Sequence, residues 1–204
     1  MVENKLSSSS RLERKKLAMK QKIIDVSMKS FLKQGIDATT MEQIAEAVDI
    51  AKGTLYNYFP VKEAIIDEYI KLTFQEQNPE RIEKLHGLPD TRSRMIATLN
   101  ELMSGIQRQK DIFEKYFIYR IQKMIALRPD ESAQSGLNLL ENEIIQLGQK
   151  EGEIRTDLPI DILTGLFEFV FIKVAQQFYQ EPESFDPQRG IEQCVELFMN
   201  GVGA

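Results

Sequence analysis

The chain has no tryptophan, one cysteine and one histidine among 204 residues. A lone Cys194 can build neither a disulfide framework nor a thiolate metal cluster, and it points to a reducing, cytoplasmic setting. His86 lies in a segment bounded by Pro79, Gly87 and Pro89, without a partner at ligand spacing, so paired-histidine metal sites and histidine catalysis have nothing to stand on. The phosphate loop G-x-x-x-x-G-K-[ST] and the elbow G-x-S-x-G are also missing. No catalytic residue, metal site or cofactor is expected, and the protein is not read as an enzyme. Only seven prolines and eleven glycines punctuate the chain, and no strand-like alternation of useful length occurs, which is the economy of long helices. The most apolar run, Ile160 to Phe178, is interrupted by Asp161, Glu168 and Lys173. Charges in that run would be costly in lipid, so it reads as a buried helix rather than a membrane span. No signal peptide is expected.

What is present is unevenly distributed. The formal charge is −5, which argues against generic nucleic-acid binding until it is split by position. Residues 1–62 hold eleven Lys and Arg against seven Asp and Glu, whereas residues 63–204 hold fifteen against twenty-four. A basic end joined to an acidic body is the layout of a protein that touches DNA through one module. The basic residues condense between Arg11 and Lys22 (Arg11, Arg14, Lys15, Lys16, Lys20 and Lys22). A solvated helix start and a phosphate-contacting one both fit that run.

From Ala38 to Glu63 the chain reads ATTMEQIAEAVDIAKGTLYNYFPVKE. Thr40 can cap a helix in which Met41, Ile44, Ala45 and Val48 fall at i, i+3, i+4 and i+7, one apolar stripe. Asp49-Ile50-Ala51 breaks the pattern. Lys52 to Tyr58 then forms a second short helix with one apolar anchor, Leu55, and otherwise small, polar or phenolic side chains. Two such helices joined by a tight turn are a helix-turn-helix, whose second member lies in the major groove. By position, Lys52 reaches a base edge or phosphate, Gly53 lets the backbone approach DNA, and Thr54 contacts a base or the backbone. Thr40, Tyr56, Asn57, Tyr58 and Lys62 are expected to bond phosphates.

The order T-x-x-x-I-A-x-x-x-x-I-x-K-G-T-L-Y-x-Y-F-x-x-K-E, from Thr40 to Glu63, resembles the signature of the TetR-type transcriptional regulators. The motif departs from the family at three places. Asp49 stands where the turn commonly has Gly, Ala51 where Ser or Thr commonly caps the recognition helix, and Val61 where a polar residue commonly precedes Lys62. Asp tolerates the left-handed region, whereas the two missing caps predict a less firmly started helix.

The remaining chain reads as five or six further helices, giving an all-α protein. A flexible basic arm is expected over 1–15, a three-helix DNA-binding head over 16–77 and a larger bundle over 78–204. Leu17, Ile24, Met28 and Phe31 share a face of the first helix, and the fourth ends before Asn78-Pro79, with a loose connection to Asp90. The helix from Pro159 to Tyr179 is nearly apolar on every side, and the last carries Val195, Leu197 and Phe198, so a homodimer through these two is expected. The aromatics of the body fit plain core and fit the lining of a pocket equally in kind. The family resemblance implies a pocket for a small effector, apolar or amphipathic, lined by Phe113, Tyr116, Phe117, Met124, Phe167 and Phe171, with Arg120 and Lys123 meeting a polar end. The resulting reading is a homodimeric repressor released from double-stranded operator DNA by that effector. The rivals are a helical carrier or enzyme, and a ligand-independent chromosome-organising protein.

Overall fold

The computed structural model describes residues 3–125 and 137–202. Among them lie nine helices and no strand: α1 (Glu3–Gln34), α2 (Met41–Val48), α3 (Lys52–Tyr58), α4 (Lys62–His86), α5 (Thr91–Arg108), α6 (Lys110–Met124), α7 (Asn138–Lys150), α8 (Ile160–Gln180) and α9 (Pro187–Val202). Helices α1 to α3 and the start of α4 form the head, and α5 to α9 with the rest of α4 form the body.

The head is held by a short list of side chains. Ile23, Ile24, Met28 and Phe31 of α1 are buried in one core with Ile44, Ala45 and Val48 of α2 and Leu55 of α3, where α1 packs on α2 and α2 on α3. Leu17, assigned to that face from the sequence, is instead 66% exposed. It falls one turn before the point where α1 meets the rest of the head. The expected arm is also different, because α1 is helical from Glu3. Residues 11–22 are rich in good helix formers, and extending a nucleated helix costs far less than starting one. Gly35, at φ +90, ends α1 in the left-handed conformation that glycine adopts without penalty.

The expected break after Gln77 is absent. Helix α4 runs through Pro79 to His86, and the 77/78 boundary falls inside it. Proline in a helix interior removes one backbone bond and costs about 3 kcal/mol. Here the turns on both sides are pinned by buried Phe74, Asn78 and Leu85, and packing overrides the local preference. Arg94 of α5 secures the end of α4, donating to the carbonyls of Leu85 (3.2 Å) and Leu88 (3.0 Å) while its other nitrogen pairs with Glu151 (2.5 Å). The turn after α7 thus fastens α4 to α5, and Glu153 adds a bond from the Thr91 amide at 2.6 Å. Close approach of α7 here needs Gly148, since a Cβ would lie 2.5 Å from Thr91 Oγ1 and 2.8 Å from the Ile154 side chain.

Helix α8 packs on α7 and α9 with Leu163, Phe167, Phe171, Val174 and Phe178 buried. It is not buried all round: Ile162, Leu166 and Phe169 stand exposed, Phe169 by 57%. They sit at i, i+4 and i+7, one stripe along the side turned away from the bundle. On α9, Phe198 is buried against Phe167 (ring centroids 6.0 Å apart), whereas Leu197 is 76% exposed.

Candidate nucleic-acid interface and effector site

Helix α2 starts with a complete capping box. Thr40 Oγ1 accepts from the Gln43 amide at 3.1 Å, and Gln43 Oε1 accepts from the Thr40 amide at 2.9 Å. Its other end turns through Asp49 at φ 62 and ψ 55, the left-handed geometry expected for this turn. Lys22 of α1 donates to the Val48 carbonyl at 2.7 Å, satisfying a carbonyl of the last turn. Helix α3 then begins at Ala51 and α4 at Val61, both without a side-chain cap bond.

Helix α3 buries only Leu55, and Phe59 just beyond it; Lys52, Gly53, Thr54, Tyr56 and Asn57 are all exposed, with Tyr58 half-buried. A Cβ at Gly53 would meet nothing within 4 Å, so that position is open toward solvent. Lys52 pairs with Glu42 of α2 at 3.3 Å across the turn. Both partners are solvent-exposed, and such pairs are worth little, so phosphate can compete for the ammonium. Two expected phosphate ligands have internal work instead. Lys62 Nζ donates to the Ile36 carbonyl at 2.7 Å and braces the α1–α2 loop, and the Thr40 oxygen serves the capping box while remaining exposed. Of the basic run on α1, Lys20 pairs with Glu68 of α4 at 2.6 Å, while Arg11, Lys15 and Lys16 stand in solvent.

The body holds a buried polar cluster. Arg120 of α6 donates to Glu168 Oε1 of α8 at 3.0 Å, and both are buried. Glu141 of α7 is 1% exposed. Its burial, with the Glu168 charge nearby, pushes its carboxyl well above the usual range. Burial likewise raises the Tyr116 hydroxyl and, on α4, Asp67, against which Lys123 lies at 3.6 Å. Arg120, expected to meet a ligand, therefore has a carboxylate of its own.

Of the expected pocket rings, Phe117 meets Phe171 at 5.3 Å and Tyr116 at 5.5 Å between centroids, while Phe167 turns to Phe198 on α9. The Met124 side chain lies outside the described residues. Phe117 also lines a groove of about 260 Å³ between α6 and α8, with Ile118, Ile121 and Ile172. A larger cleft of about 530 Å³ opens between α4 and α5, and Phe113 is the one ring of the expected set that lines it. Its apolar wall is Ile70, Phe74 and Leu102, and its cations are Arg81, Lys84 and Arg108. Sequence reading missed this cleft because it ended α4 before Asn78. The available signal was the i, i+4, i+7 series of Phe74, Asn78 and Arg81 continuing past the proline.

A capped helix, a left-handed turn and a second helix with one buried anchor and an open polar face define a helix-turn-helix DNA-binding head. The profile described as bacterial regulatory proteins, tetR family, matches residues 23–69. The head is thus a TetR family DNA-binding domain. The chain is 22% identical over 198 residues to the HTH-type transcriptional repressor KstR2 of Rhodococcus jostii, covering 93% of each chain. It is 40% identical over 60 residues to IcaR, the negative transcriptional regulator of the icaADBC biofilm operon in Staphylococcus aureus, a match spanning 32% of that protein. The fold is shared with the Thermus thermophilus repressor FadR in complex with lauroyl-CoA, at TM-score 0.73 and 22% identity over 89% of this chain and 94% of that one. No described helix is long and apolar enough to cross a membrane.

Proposed function

We propose that the chain is a homodimeric repressor that binds a two-fold symmetric operator through α3. Its effector is an amphipathic molecule, an acyl thioester being the class with most support, that enters the cleft between α4 and α5. The observation that carries this reading is the course of α4. Its first residue, Lys62, braces the loop before α2, and the same helix from Tyr69 to Lys84 forms one wall of the cleft. A cleft of about 530 Å³ is within the common range for small-molecule sites. Apolar Phe74 and Leu102 suit a hydrocarbon chain, and Lys84 and Arg108 at the rim suit an anionic head. The lauroyl-CoA held by the Thermus protein is a molecule of this kind.

A ligand releases DNA only through differential affinity for two head spacings. Filling the cleft moves α4 against α5, and a second tie transmits the movement: Lys115 of α6 pairs with Asp37 in the α1–α2 loop at 2.9 Å. The expected coupling is about 1–3 kcal/mol, a roughly 5–150-fold loss of operator affinity. Fluorescence anisotropy on DNA upstream of the gene, with and without lauroyl-CoA, measures it. Arg108→Glu should blunt the response while leaving ligand-free operator binding intact. Operator binding unchanged by acyl thioesters of any length would exclude this effector class.

A further inference from the structure

The cleft between α4 and α5 has a neighbour, itself partly open to solvent. This second, smaller cavity has a volume of about 90 Å³, and the two are bounded in common by Phe74, Arg81, Lys84, Glu101 and Leu102. The inner cavity is completed by Leu85, Leu88, Ala97, Thr98 and Leu140, an almost wholly hydrocarbon lining that reaches α7. The partition between the two spaces is an ion pair: Arg81 Nε donates to Glu101 Oε1 at 2.8 Å.

Resting on the effector reading above, we infer that the Arg81–Glu101 pair is a gate that sorts effectors by the length of their apolar chain. The inner space has the volume of roughly three water molecules, enough for a few methylene groups, and its charged lining residues Arg81, Lys84 and Glu101 all stand on the side shared with the outer cleft. The gate is built to move at small cost. Glu101 is half exposed (52% of its side chain), so its charge stays hydrated whether or not Arg81 is in place. Arg81 keeps a second support when the pair parts, because its guanidinium lies 4.6 Å from the centre of the Phe74 ring. Its Nη1 is buried with no acceptor, so swinging the group off Glu101 sacrifices no bond at that nitrogen. A chain that ends in the outer cleft leaves the pair closed. A longer one parts it, exchanges an ion pair for hydrocarbon contact with Leu85, Leu88 and Leu140, and separates α4 from α5 at the end of α4 remote from the head.

Calorimetry with octanoyl-, lauroyl- and palmitoyl-CoA on the full-length protein tests the gate, with ligand-free operator binding as the check on folding. Ala97 stands exposed on α5 at the edge of the inner cavity, so Ala97→Leu fills that space without disturbing the core. It should weaken palmitoyl-CoA at least about tenfold, the effect of some 1.4 kcal/mol, and leave octanoyl-CoA unchanged. Glu101→Ala should shift preference the other way, toward the longer chain. Equal effects on all three chains, or none, in both variants would overturn the gate and leave the effector class standing. Failure of the unaltered protein to bind any of the three would overturn the effector class and the gate with it.

Discussion

Leu166→Glu combined with Phe169→Glu should give a folded protein that sediments as a monomer and has lost operator affinity by roughly 10²–10⁴-fold. Both side chains stand in solvent on α8, Leu166 by 45% and Phe169 by 57%, beside Ile162 at 49%. Burying a side chain of this size contributes about 1.5–3 kcal/mol, and a single chain leaves three of them in one row unburied. A second copy presenting the same stripe would cover them symmetrically, as an isologous two-fold contact requires. Two heads in such a dimer would meet half-sites about 34–36 Å apart, or a multiple of that, and each contact made by one head would raise the effective concentration of the other. The substituted positions lie outside the buried intrachain core, so circular dichroism should be unchanged. Phe198 of α9, which the sequence also assigns to the dimer contact, is unsuitable for the test because it packs inside the chain on Phe167. Sedimentation of the unaltered protein as a monomer at micromolar concentration would contradict the interface.

Arg120→Ala should cost about 3–5 kcal/mol of folding stability, because it leaves the Glu168 carboxylate buried without its partner beside Glu141. Replacing both members, Arg120→Met with Glu168→Leu, should recover most of that loss, since an apolar pair of similar volume avoids both desolvation costs. Glu141 gives the cluster a pH signature. Its carboxyl is held well above the usual range, so its folded state binds a proton more tightly than its unfolded state. That contribution is fully present below the unfolded carboxylate value and is lost as pH rises through the raised one. Glu141→Gln should therefore flatten the decline of stability on the alkaline side. Urea titrations of the three variants at several pH values check this. Equal stability of Arg120→Ala and the unaltered chain would show that the pair is hydrated in solution.

The head was legible because its code is local. Thr40, the stripe Met41, Ile44, Ala45 and Val48, the tolerance of Asp49 for the left-handed region, and the bare starts at Ala51 and Val61 are all properties of adjacent residues, and each recurs in the structure. The body was legible as helices but not as surfaces. Which of Phe167 and Phe169 faces inward depends on where α9 lies, and that is fixed by contacts far apart in sequence. Pro79 misled for a related reason, since the buried Phe74 and Leu85 that carry α4 past it find their partners only on other helices. Glu168 counted in sequence as evidence against a membrane span, and its pairing with Arg120 could not be read from spacing. Lys62 shows the limit even within the head, because a lysine at a phosphate-facing position is engaged by the Ile36 carbonyl at 2.7 Å.

The central claim is that the exposed face of α3 binds DNA, and a salt titration tests it most directly. Affinity for the upstream DNA is measured by anisotropy across a range of salt concentrations for the unaltered protein and for Lys52→Ala. The account predicts binding whose logarithm falls linearly with that of the salt concentration, weaker in the variant and with a slope shallower by about one. Identical affinity and slope in both proteins, or no binding by either, would contradict it.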